Sequence, residues 1–122
     1  MIDCKRRVIS LSEKESLIHM QKRVDSFISQ FEEGYFSPLT MVARLTEEMG
    51  ELAREINHHY GEKPKKQSEG EKALEEELGD LLFVLITLAN SLDIDMSEAF
   101  DLSMSKIERR DQNRWTKKEN KS

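Results

Sequence analysis

Residues 74–92 read LEEELGDLLFVLITLANSL, and from Leu78 onward apolar side chains point to every side of a helix built on this segment. Such a helix has no face to give to water and must be walled in by neighbours. Its longest apolar run, Leu81 to Ala89, is interrupted only by Thr87. That is far short of the ~20 residues that cross a bilayer, so the walls must be protein and not lipid. This one segment therefore calls for an all-α bundle with itself at the centre.

The remainder of the chain supplies the neighbours. With 122 residues it is one domain, and its five glycines and two prolines are too few for the many turns of a sandwich or barrel. A first amphipathic helix follows the capping-box spacing Ser12 to Glu15, with its stripe at Leu17, Met20, Val24, Phe27, Ile28 and Phe31. Ser37-Pro38 gives an N-cap and a proline at the first helical position of a second helix. Its stripe, Leu39, Val42, Leu45, Met49, Leu52 and Ile56, runs to about Tyr60, where Gly61 and Pro64 stop it. GEKPKKQSEGE reads as a polar, mobile linker, and the third helix runs from about Glu71 to Leu92. Asp95 and Glu98 cap a fourth, carrying Met96, Ala99, Leu102 and Ile107. The domain is expected to span residues 12–115, with terminal extensions at 1–11 and at 116–122, the latter frayed or disordered. Four such helices form a thin layer, and the central one asks for more cover than three partners provide, which predicts self-association.

Charge and cysteine content exclude several classes. A formal charge of −5 leaves no basic face for duplex DNA or RNA. Cys4 is the single cysteine and cannot form an internal disulfide. The opening MIDCKRRVIS has basic residues but no long apolar core, so it does not read as a secretory signal. A cytoplasmic protein with no membrane partner is the expectation.

Against this apolar background the acids stand out. LTEEMGEL at 45–52 carries Glu47, Glu48 and Glu51, and LEEELGD at 74–80 carries Glu77 and Asp80. At 100° per residue, positions three apart lie about 60° apart around the axis and one turn along it, so each pair can address one object. Glu48 sits three after Leu45 and four before Leu52, and Glu77 three after Leu74 and four before Leu81, which places both on inward stripes. Glu47 and Glu55 read as more outward. Four carboxylates gathered in a partly apolar bundle repel one another and lose hydration, so something must neutralise them. Protonation or pairing with Lys or Arg are two routes. A hard divalent cation such as Mg²⁺ or Mn²⁺, which takes all-oxygen ligands, is the third and accounts best for two inward pairs. Gly50 and Gly79, costly inside helices, suit a close approach by a helix or a ligand.

EEMGE at Glu47–Glu51, ELGD at Glu77–Asp80 and the later KIERR together resemble the MazG-like nucleotide pyrophosphohydrolases, the all-α NTP pyrophosphatase superfamily marked by EExxE and ExxD. The likeness extends from about Met20 to Trp115. It implies a four-helix bundle completed by dimerisation, as a homodimer or a tetramer of two dimers with composite sites. It also implies Mg²⁺-dependent hydrolysis of a nucleoside triphosphate between the α and β phosphates. By the same resemblance Glu48, Glu51, Glu77 and Asp80 are metal ligands. Glu47 or Glu48 serves the attacking water, and Lys106, Arg109 and Arg110 meet phosphates, although Arg109 or Arg110 can instead pair with Glu108 or Asp111. Candidates for the base and sugar pocket are Trp115 and Asn90, with His58, His59 and Tyr60 behind them.

Two rival readings differ in chemistry. Glu55-Ile56-Asn57-His58 has the E-x-x-H spacing of a di-iron bundle, but that fold needs the motif twice and the third helix offers ExxD without histidine. A non-catalytic helical adaptor would use the acids only to decorate an interface and would show no dependence on Mg²⁺.

Overall fold

A computed structural model describes residues 14–61 and 74–119. The four expected helices are all present, as α1 Leu17–Ile28, α2 Pro38–Tyr60, α3 Leu74–Ser91 and α4 Met96–Arg110, and no strand occurs among the described residues. The fold is all-α. The linker and the residues at 71–73 lie outside the described residues, as do the Ser12 cap and the 1–11 extension. Beyond Arg110 the chain forms no further helix up to Glu119.

Local chemistry fixes most of the boundaries. The Ser37 side chain accepts from the Thr40 amide, Pro38 opens α2, and Gly61 closes it with its N–H on the Asn57 carbonyl. Asp95 caps α4 by accepting from the amides of Ser97 and Glu98. At α1 the Ser16 side chain accepts from the His19 amide at 3.2 Å, next to the first apolar residue, and the helix begins at Leu17.

Helices α2 and α3 form the most extensive pair and run antiparallel, since Met41 near the start of α2 meets Thr87 near the end of α3. The inward line of α2 is Met41, Leu45, Glu48, Leu52 and Glu55, alternating steps of four and three, with Met41 and Glu55 buried. Val84, Ile86, Thr87 and Ala89 are buried along α3. This corrects the expected stripe, because Leu39, Val42, Met49 and Ile56 are exposed, and so is the expectation that Glu55 points outward: it is only 6% accessible. On α3 itself Leu78, Leu82 and Leu85 remain exposed in the single chain, as does Leu92 just beyond its end, so the apolar segment is covered on one side only.

At the far end of α3 a polar network ties three elements together. The amide of Gln21, on α1, donates to Asn90 Oδ1 at 2.9 Å and to the Ile94 carbonyl at 2.8 Å, and its oxygen accepts from the Met96 amide at 2.9 Å. Asn90 donates to the Gln21 carbonyl at 2.9 Å and to the Tyr35 hydroxyl at 3.0 Å, and that hydroxyl donates to Asp25 at 2.7 Å. The chain turns from α3 into α4 here, with Asp93 at φ 56. Glutamine is the right length to reach both the carbonyl of Ile94 and the amide of Met96 across that turn.

Candidate active site

The antiparallel α2–α3 pair brings the two acidic motifs side by side. One carboxylate oxygen from each of Glu48, Glu51 and Glu77 lies within 4.8 Å of the others. Glu77 is buried, Glu48 half-buried and Glu51 exposed, so the group opens from the helix seam to solvent. Two oxygens sharing one Mg²⁺ at about 2.1 Å stand roughly 3–4 Å apart. Small rotations of the side chains therefore suffice to close this group around an ion. The donor set, all carboxylate oxygen, is that of a hard cation and not of zinc or copper. Asp80, one turn along α3 from Glu77, is half-buried and lies outside the three-residue group. Glu47 is exposed on the neighbouring face of α2.

Both glycines of the motifs look outward. A Cβ built on Gly50 or Gly79 meets nothing within 4 Å, so packing inside this chain does not demand glycine at either place. Glu55, missed as an inward residue, continues the acidic line one turn beyond Glu51, and its oxygens face His58 Nδ1 at 3.8 Å and His59 Nε2 at 3.6 Å. The signal available was its place seven residues after Glu48 on the same heptad line. The E-x-x-H spacing thus makes a buried carboxylate–imidazole contact on one helix. Among the described residues α3 adds no histidine to it.

The remaining candidates are dispersed. Asn90 belongs to the network around Gln21, where its amide donates twice within the protein. Arg110 makes a two-pronged contact with Asp111, at 3.1 and 3.2 Å, which holds the Asp111 carboxyl below its ordinary range, chiefly through that hydrogen bond. Lys106 and Arg109 are exposed on the last turns of α4, and Trp115 is 71% accessible with the Arg114 guanidinium 5.1 Å from its ring. Tyr60 is exposed at the end of α2. A single chain thus gathers the acids and leaves the cations at its periphery.

Residues 36–115, which hold every one of these acids, match the family model of the MazG nucleotide pyrophosphohydrolase domain. The chain belongs to the MazG family. It is 65% identical over 100 residues to the uncharacterized protein YpjD of Bacillus subtilis (strain 168), a match covering 82% of this chain and 90% of that one. Among solved structures it resembles YPJD from Bacillus subtilis, assigned as a pyrophosphatase, with a TM-score of 0.70, 62% identity and coverage of 77% of this chain and 96% of the other. It also resembles the Bacillus-conserved MazG protein, a nucleotide pyrophosphohydrolase, with a TM-score of 0.69, 58% identity and coverage of 78% and 92%. A MazG-family chain with a three-carboxylate group is a hydrolase of the nucleotide pyrophosphohydrolase type, and the adaptor and di-iron readings fall away. No helix among the described residues is long and apolar enough to cross a membrane.

Proposed function

We propose that this MazG protein hydrolyses a nucleoside triphosphate, ribo or deoxy, between the α and β phosphates, releasing the monophosphate and pyrophosphate with Mg²⁺ as cofactor. The observation that carries the reading is the convergence of Glu48, Glu51 and Glu77 within 4.8 Å at a point open to solvent. These three would hold the ion, with Asp80 joining from the next turn of α3 and Mn²⁺ able to substitute. When bound, the cation makes the α phosphorus more electrophilic and offsets the charge of the leaving pyrophosphate. Glu47, exposed beside the group, accepts the proton of the water that attacks phosphorus, and Glu48 shares in orienting that water. The P–O bond to the β-phosphate breaks and pyrophosphate departs.

Lys106, Arg109 and Arg110 would meet the outer phosphates, and Trp115 the nucleotide, from a second copy of the chain. What supports that arrangement is the apolar face left open by Leu78, Leu82 and Leu85 on α3 and by Met49 and Ile56 on α2. Burying that face against a copy covers the central helix, and the open Cβ directions of Gly50 and Gly79 allow the close approach. The reading is tested by incubating the purified protein with each common ribo- and deoxynucleoside triphosphate, with and without Mg²⁺. Monophosphate plus pyrophosphate, only with metal, is expected. Orthophosphate, or no product across the panel, would overturn it.

A further inference from the structure

A cleft of about 390 Å³ runs between α1 and α3, with Met20, Val24 and Phe27 on one wall and Gly79, Phe83 and Ile86 on the other. Its two ends differ. Gln21 meets Asn90 near the end of α3, while Phe27 and Phe83 together line both this cleft and the one beside Met41, so α1 and α3 run antiparallel. From Ile86 back to Gly79 the cleft follows α3 for seven residues, about 10 Å of helix. Beyond Gly79 the first turn of α3 carries Glu75, Glu76 and Glu77, and the first two of these are exposed. The cleft is apolar along its length and acidic at its far end.

The chain enters α1 beside this cleft. Glu15, just before the Ser16 cap, is half-buried in the cleft wall, and its carboxylate meets His19 Nδ1 at 3.1 Å and the Arg23 guanidinium two turns into the helix. Those contacts draw the start of the described chain back along α1 on the cleft side. Taken in order away from Glu15, the preceding residues bring first Leu11, Ile9 and Val8, then Arg7, Arg6 and Lys5. The segment is thus apolar and then basic, in the order in which the cleft is apolar and then acidic. The lengths also agree, since Leu11 to Arg7 spans about 13 Å of extended chain, in which Ile9 and Leu11 share a face.

We propose that residues 1–13 lie along the α1–α3 cleft of their own chain, with Ile9 and Leu11 against Val24, Phe27 and Phe83, and with Lys5, Arg6 and Arg7 beside the acidic first turn of α3. The docked run is a resident counter-charge next to Glu77 and one turn from Asp80. It offsets the repulsion among the acids in the metal-free protein and opposes the entry of a divalent cation. Leu82, at the edge of the cleft, also belongs to the face opened by Leu78 and Leu85, so a second copy of the chain is the rival occupant. The docking does not depend on which reaction the acids serve.

The test uses Cys4, the single cysteine, which adjoins the basic end of the segment. In the whole protein, Glu76→Cys puts a second thiol at the far end of the cleft, and Lys22→Cys puts one on the opposite side of α1, closer along the helix to Glu15. Each variant is checked for helicity by circular dichroism and treated with a short bis-maleimide at low protein concentration. Glu76→Cys should link to Cys4 within one chain about tenfold faster than Lys22→Cys, and adding Ile9→Asp and Leu11→Asp should remove the difference. Equal rates at the two positions would overturn the docking, and a product of twice the chain mass would give the cleft to a second copy instead. Mg²⁺ titration by calorimetry, without nucleotide, reads the charge. Arg6→Gln with Arg7→Gln should tighten Mg²⁺ binding about threefold or more at low ionic strength, and the gain should fade at about 0.5 M KCl. An unchanged affinity at low salt would overturn the counter-charge role. Absence of Mg²⁺ binding from every protein would sink the metal reading of the acids, while the crosslink still decides the docking.

Discussion

The two ends of α3 each hold a polar group in the helix seam, and they are built on opposite rules. At the C-terminal end Gln21, Asn90 and Tyr35 are neutral, and their donors and acceptors meet one another, the backbone or the lone carboxylate of Asp25 at 2.7 to 3.0 Å. At the N-terminal end Glu48, Glu51 and Glu77 carry one sign of charge and converge on a common point. A satisfied polar network contributes order and stability by itself, whereas like charges drawn together oppose folding until a cation joins them. The contrast sets a structural pin against the group proposed above to hold a cation.

The comparison predicts opposite responses to mutation. Replacing Glu48 or Glu77 by Gln should reduce kcat about a hundredfold or more while the helical circular dichroism spectrum is kept. A variant with near-normal turnover would remove that residue from the site. Gln21→Ala should do the reverse, lowering stability in urea by about 3 kcal/mol, because the Met96 amide and the Ile94 carbonyl lose their partners. Its kcat should stay within a few-fold of wild type, and a collapse of kcat in folded protein would mean the two ends are coupled.

Metal binding sharpens the contrast further. Mg²⁺ at about a hundred times its dissociation constant should stabilise the wild type by about 2.7 kcal/mol, read as a rise in Tm, and Glu48→Gln should abolish the rise. Gln21→Ala should show the full increment on its lower baseline. Loss of the metal shift in Gln21→Ala would contradict the division of roles.

The smallest effect expected is for Tyr35→Phe, about 1 kcal/mol for the hydroxyl's bonds to Asp25 and Asn90. Burial, and then the bond to Asp25, push the Tyr35 phenol above its ordinary value of 10.0. The folded state therefore favours the protonated phenol. Its contribution is complete below the ordinary value and is lost as pH rises through the raised one, so the gap between wild type and Tyr35→Phe should narrow only in strong alkali. A gap that narrows near neutral pH would mean another group controls the network.

Much of this was legible in residue order. Ser37-Pro38, Gly61 and Asp95 mark helix ends through local chemistry, and those ends stand where that chemistry puts them. The acidic motifs show as interruptions of apolar stripes, and the convergence of Glu48, Glu51 and Glu77 follows once the two helices pair. Glu55 was not legible, because α2 carries two lines of heptad character: one through Leu45 and Leu52, the other through Val42, Met49 and Ile56. Periodicity gives the width of an apolar face but not which of its edges meets the neighbouring helix.

The sequence by itself determined four helices, the caps of α2 and α4 and the two acidic pairs, since each depends on groups within a few residues of one another. Only the tertiary structure decided which side of α2 is inside, that Glu55 is buried, that Asp80 stands apart from the three-carboxylate group, and that Asn90 is held by Gln21 and Tyr35. Those outcomes depend on the rotation and offset of one helix against another. They are set by the summed packing of many side chains from distant parts of the chain, and no local spacing encodes that sum.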